Sequence, residues 1–95
     1  MAKKLDKTQL AAAVAALPTW KIEHGELIRS VTFADFNQAI EFVNRVASLA
    51  EEVGHHPDID IRYSRVRLAL ITHDAGGITY ADIDMAEKIE KELSK

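Results

Sequence analysis

"PDIDIRYSRVRLALITH", residues 57–73, decides the fold. Apolar side chains fall on every second position on both sides of a polar interruption: Ile59, Ile61 and Tyr63, then Val66, Leu68 and Leu70. A period of two marks a strand with one buried face. Two such runs this close together read as a hairpin. With Ser64 and Arg65 as the central turn residues, Tyr63 faces Val66, Ile61 faces Leu68 and Ile59 faces Leu70. All three apolar pairs then share one face, so the register is self-consistent. Carried outward, the same count sets His56 opposite His73, with Cβ atoms ~4.5–5.5 Å apart, on the face turned away from the apolar layer. It also sets Arg62 against Arg67, and Ser64-Arg65 is not a favoured two-residue turn.

Upstream, residues 34–53 carry apolar side chains at steps of three and four: Phe36, Ala39, Ile40, Val43, Ala47 and Ala50. This spacing predicts a long amphipathic helix with that stripe inward and Gly54 at its C′ position. Residues 19–33 predict a hairpin turning at His24-Gly25. Residues 1–17 begin with lysines and an alanine-rich run, as a weak signal peptide does, but Asp6, Lys7 and Gln9 interrupt it. Asp6 and Gln9 form an N-cap and capping-box pair. The segment predicts a surface helix with Leu10, Ala13, Val14 and Leu17 inward, closed by Pro18. Downstream, residues 74–78 are a loop in which Gly76 and Gly77 supply turn backbone. Thr79 opens a last helix, with Tyr80, Ile83, Ala86, Ile89 and Leu93 inward and Asp82 as the capping partner. The order α-β-β-α-β-β-α implies one α+β domain over residues 1–95: a four-stranded antiparallel sheet with three helices packed on one face.

Composition narrows the function. The chain has 95 residues, 47% apolar and 28% charged, as in ordinary soluble globular proteins. A net charge of −3 argues against a broad electrostatic grip on nucleic acid. No run approaches the ~18 apolar residues that suggest a membrane span. Without cysteine there is no disulfide or thiolate chemistry, and a reducing, cytoplasmic setting is expected. A chain this short buries only about 60% of its unfolded surface, which favours self-association.

The chemistry concentrates at Gly54-His55-His56-Pro57. Neighbouring side chains on a strand point to opposite faces, so two adjacent histidines serve one site only where the backbone is irregular. With His73 they make a three-histidine cluster. Histidine acts as both acid and base near neutral pH, its unperturbed pKa being about 6.5. Three histidines can also hold a catalytic zinc, but no second shell beyond Glu51 is evident. The plainer alternative is two exposed loop rings and one at a strand end.

Glu51, His55-His56-Pro57, Tyr63, Val66, Thr72-His73 and Gly77-Ile78-Thr79 lie in the order E-x3-HHP-x5-Y-x2-V-x5-TH-x3-G-I-T across residues 51–79. This pattern resembles the signature of the pterin-4a-carbinolamine dehydratases. The resemblance runs from about Trp20 to the end, and more loosely over the first helix. Two departures touch the pterin surroundings: Ile59 stands where some members carry an aromatic residue, and the first hairpin is short. The resemblance implies loss of water from a 4a-hydroxytetrahydropterin to give the quinonoid dihydropterin, with no cofactor and no metal. It implies His55 and His73 as acids at the 4a-hydroxyl, and His56 as ring binder or proton acceptor. Glu51 would orient an imidazole, and Trp20, Pro57 and Asp82 would help bind the substrate. From the residues alone, Trp20 reads equally as core packing, Glu51 as a solvated helix end, and Asp58 and Asp60 as a solvated strand face. The resemblance also implies a homotetramer built as a dimer of dimers. An alternative function from the same resemblance is a binding module, a dimerisation or coactivator partner of transcription factors.

Overall fold

The computed structural model describes residues 3–95. Its elements run α1 (Lys7–Ala15), β1 (Lys21–Glu23), β2 (Glu26–Thr32), α2 (Phe36–Val53), β3 (Asp58–Arg62), β4 (Arg65–Leu70), a 3₁₀ turn (His73–Ala75) and α3 (Tyr80–Leu93). The four strands form one antiparallel sheet in the order β1-β2-β4-β3. The expected α+β architecture is therefore present. Leu27, Leu68, Leu70 and Val66 line the sheet's inner face, against Phe42 and Val46 of α2 and Met85 and Ile89 of α3. Among the described residues no helix is long and apolar enough to cross a membrane.

Local chemistry sets the boundaries. Asp6 accepts a bond from the Gln9 backbone N–H at 2.8 Å, and the Gln9 side chain accepts from the Asp6 N–H at 3.0 Å, the capping box read from sequence. The first hairpin turns at His24 and Gly25, both with positive φ (52° and 77°). A two-residue turn of this hand matches the twist of its strands.

The second hairpin forms, but its turn sits one residue earlier than the alternation suggests. Ile59 pairs with Leu68, Ile61 with Val66 and Arg62 with Arg65, so the central residues are Tyr63 and Ser64. Each partner moves by two positions, which leaves every side chain on its expected face. The observed register gains an opposite-charged pair, Asp60 opposite Arg67, and keeps a like-charged one, Arg62 opposite Arg65. It also takes Tyr63 out of the inner layer: the ring is 70% exposed, on backbone with φ 54°.

The buried face of α2 also differs from expectation. Ala39, Phe42, Val46 and Ala50 are buried, whereas Phe36 is 48% exposed and Ala47 is exposed. The helix carries two adjoining apolar stripes, and the one holding Phe42 and Val46 faces the sheet. On α3, Ile83, Ala86 and Ile89 are buried as expected and Met85 joins them, while Tyr80 is exposed.

Near the carboxyl end of α3, Glu90 Oε1 accepts from Trp20 Nε1 at 2.7 Å, Arg29 Nε at 2.7 Å and Thr19 Oγ1 at 3.0 Å. Burial pushes this carboxyl up, but the bonds from Arg29, Trp20 and Thr19 and the Arg29 charge outweigh it and hold it below its ordinary value. A depressed folded value contributes stability above the ordinary glutamate range, and that contribution is lost as pH falls through the folded value. We expect Glu90→Gln to be less stable than the native chain at pH 7 by about 1–2 kcal/mol. The gap should close on acidification below the ordinary value of 4.5. Urea midpoints at pH 7 and at strongly acidic pH check this, and a gap independent of pH would refute it.

Candidate active site

The site begins where α2 stops. Gly54 takes left-handed backbone (φ 71°), a conformation glycine adopts without a Cβ penalty. The His55 N–H then reaches back to the Ala50 carbonyl at 3.2 Å, closing a Schellman-type cap. Residues 55–57 belong to no regular element. That irregular backbone lets adjacent histidines share one site.

The two rings are held differently. His55 Nε2 lies 2.5 Å from Asp82 Oδ1, with the His55 side chain 20% exposed and Asp82 fully buried. His56 Nε2 lies 2.5 Å from Glu51 Oε2, in a pair that is largely open to solvent. His73 starts the 3₁₀ turn, just beyond the bridge between Thr72 and Gly77. Gly54, His55, His56, Ile71, Thr72, His73 and Asp74 together line an open depression of about 280 Å³. A second depression of about 240 Å³ shares His55 and continues over Val53, Ala81 and Met85.

The three histidines thus converge, but not through the strand ladder. With the observed register a continued count would set position 56 opposite position 71 rather than 73, and β3 and β4 reach only Asp58 and Leu70. The rings meet where the carboxyl end of α2, the end of β4 and the amino end of α3 come together. This is the rim of the sheet, not its open face. Glu51 orients His56 rather than the His55 one turn ahead of it. Pro57 follows in half-buried backbone.

Asp82 is not placed to touch a bound molecule. It is 0% exposed, and its Oδ2 accepts from the Thr79 N–H at 2.9 Å and Thr72 Oγ1 at 2.8 Å while Oδ1 faces His55. It serves as the helix cap and as the holder of His55 at once. Trp20 is not gathered with the histidines either. The indole is 2% exposed and its one N–H goes to Glu90, eight positions or roughly 12 Å along α3 from Asp82. The core-packing reading of Trp20 is the one the geometry follows.

Thr72 stands in the sequence pattern beside His73, but its bond to Asp82 goes beyond that pattern, although a signal for it is there. Val66, Leu68 and Leu70 face the helices, so position 72 shares their parity and points its hydroxyl at α3. Among the described residues no group of three or more His, Cys, Asp or Glu side chains is arranged to hold a metal ion. What the site offers is two imidazoles, each tethered through Nε2 to a carboxylate, and a third ring beside them. Such an arrangement can give and take protons at a molecule seated in the depression.

Residues 3–92 match the family model described as pterin 4 alpha carbinolamine dehydratase. A protein from Acidobacterium capsulatum, provisionally named pterin-4-alpha-carbinolamine dehydratase, is 60% identical over 77 residues, covering 81% of this chain and 84% of that one. One from Chloroflexus aurantiacus with the same provisional name is 51% identical, covering 93% and 95%. The crystal structure of a transcriptional coactivator/pterin dehydratase from Brucella melitensis superposes with a TM-score of 0.89 at 34% identity, covering 94% of this chain and 97% of that one.

Proposed function

This chain belongs to the pterin 4 alpha carbinolamine dehydratase family, and from that premise we propose that it dehydrates a 4a-hydroxytetrahydropterin to the quinonoid dihydropterin. The observation that carries the reading is the convergence of His55, His56 and His73 on one depression. The carbon–oxygen bond at C4a breaks more readily when the hydroxyl leaves as water, so a proton must be delivered to that oxygen. A ring-nitrogen proton leaves at the same time, so the two proton movements balance and no electron donor or acceptor enters. His55 and His73 deliver the proton. His56, held by Glu51, binds the ring or receives the departing proton. Positioned acid–base groups of this kind typically accelerate a reaction by ~10²–10⁴-fold. The product is the oxidised pterin that a reductase returns to the tetrahydropterin used by aromatic amino acid hydroxylases. Residues 1–95 serve as one such catalytic domain, in the cytoplasm.

The mechanism uses no cofactor and no metal, and this separates it from a zinc hydrolase built on the same rings. Stopped-flow dehydration of a 4a-carbinolamine is expected to proceed at the same rate before and after exhaustive chelation. Turnover that disappears with EDTA and returns with zinc would overturn the acid–base mechanism.

A second reading is favoured by the name of the Brucella relative, which pairs a dehydratase with a transcriptional coactivator. In this reading the chain also acts as a binding partner of other proteins, through surface outside the histidine depression. Partner capture that persists in a catalytically dead His55→Ala, His73→Ala variant would support it.

A further inference from the structure

The hydrogen bonds behind His55 each have one possible direction, and they converge on Asp82. Each threonine hydroxyl has a single proton to donate and can also accept. Thr72 Oγ1 donates to Asp82 Oδ2 at 2.8 Å, so it has no proton left for Thr79. The 2.8 Å contact between the Thr72 and Thr79 hydroxyls must therefore carry the Thr79 proton to the Thr72 oxygen. Thr79 Oγ1 in turn accepts from the Ala81 N–H at 3.1 Å. Asp82 Oδ2 is filled by the Thr72 O–H and the Thr79 N–H, both donors. The carboxylate therefore offers Oδ1 to His55 as an acceptor, and Nε2 must supply the proton across that 2.5 Å contact. Neutral His55 is thereby fixed as the Nε2–H tautomer, with Nδ1 left as the nitrogen that takes up a proton and passes it to a bound molecule.

The geometry points to Thr72 as a positioning residue for His55, acting through Asp82 by means of its hydroxyl proton. This rests on the dehydratase reading for its kinetic consequence, but not for the tautomer. Without the Thr72 hydroxyl, Oδ2 keeps one donor and the fully buried Thr79 hydroxyl loses its acceptor. The carboxylate is then free to turn, and the ring it holds loses its unique orientation. Nothing here requires Thr72 to touch the substrate.

The test compares Thr72→Val, which keeps the shape and removes the hydroxyl, with Thr72→Ser, which keeps the hydroxyl. Nitrogen-15 NMR of the histidine rings reads the His55 tautomer directly. In the native protein and in Thr72→Ser, neutral His55 is expected as Nε2–H alone. In Thr72→Val both tautomers should be present, with kcat lowered about tenfold, the size expected for one hydrogen bond to a charged group, and KM unchanged. A native protein carrying the proton on Nδ1 would overturn the directed chain without any substitution. A Thr72→Val variant with native tautomer and native kcat would overturn the role, as would a Thr72→Ser variant as impaired as Thr72→Val. If the native protein turned over no pterin, the dehydratase reading would fail, while the tautomer comparison would still decide this one.

Discussion

Replacing His55 and His73 together by alanine is expected to remove the catalytic acceleration almost entirely, while either change alone leaves measurable turnover. The three rings share one open depression, so a neighbouring imidazole or a water molecule can carry the proton when one ring is missing. Groups that act as a unit are grossly non-additive in this way. Single variants should lose roughly tenfold to a hundredfold in kcat, and the double variant should approach the full ~10²–10⁴ that positioned acids and bases typically supply. The double variant should stay folded. His73 is exposed, His55 is outside the buried core, and Asp82 keeps its two other donors. Circular dichroism verifies the fold and stopped-flow dehydration reads the rate. A folded double variant with native turnover would remove both histidines from the mechanism.

The second large effect lies in the core. Phe42 is fully buried, its ring 5.1 Å from that of Phe33 and beneath the Arg45 guanidinium at 6.0 Å. Phe42→Ala is expected to cost about 3–5 kcal/mol, the lost transfer energy plus the cavity left behind. For a domain of this size each kcal/mol lowers Tm by roughly 4–8 °C, so the drop should exceed ten degrees. Phe36→Ala, six positions earlier on the same helix, should change the stability of the separated chain by less than about 0.5 kcal/mol. Its effect should fall on self-association instead. Phe36, Ile40 and Ala47 lie on the outward side of α2, which we propose is covered by a second copy of the chain in a dimer of dimers. Light scattering should give a multiple of the 10.6 kDa chain mass, reduced in Phe36→Ala. A native mass of one chain would sink the assembly, and equal melting losses for the two variants would sink the assignment of faces.

The same helix shows where a sequence stops being informative. A period of 3.6 announced α2, and a period of two announced β3 and β4. But α2 carries apolar side chains over two adjoining stripes, and periodicity alone does not say which meets the sheet. Packing against the strands and α3 selects Phe42 and Val46. In the β3–β4 hairpin, alternation fixes which face each residue takes but is blind to a shift of two, and cross-strand charge favours the shifted pairing of Asp60 with Arg67. Gly54 and Pro57 announce the irregular backbone that lets His55 and His56 share a site, whereas His73 was joined to them by a register that the structure shifts by two. Their supports were less so. The capping pattern of Thr79 and Asp82 accounts for one carboxylate oxygen and leaves the other, the one that holds His55, invisible. Trp20 looked available for a ligand because its partner, Glu90, lies 70 residues away in sequence.

A chain leaving the ribosome amino end first exposes β1, β2, α2 and β3 before the strand that joins them exists. β4 lies between β2 and β3 in the sheet, yet it follows all three other strands in the chain, beginning at Arg65. Until β4 is made the sheet can be no more than a hairpin of three- and seven-residue strands, marginal by itself in water. The edge of β2 stays unpaired and able to template pairing with another nascent chain. Phe42 and Val46 have no completed surface to lie on. Burial begins when Val66, Leu68 and Leu70 enter the middle of the sheet and is completed by Ile83, Met85, Ala86 and Ile89 of α3. The unpaired edge of β2 and the uncovered face of α2 therefore coincide just before β4 emerges.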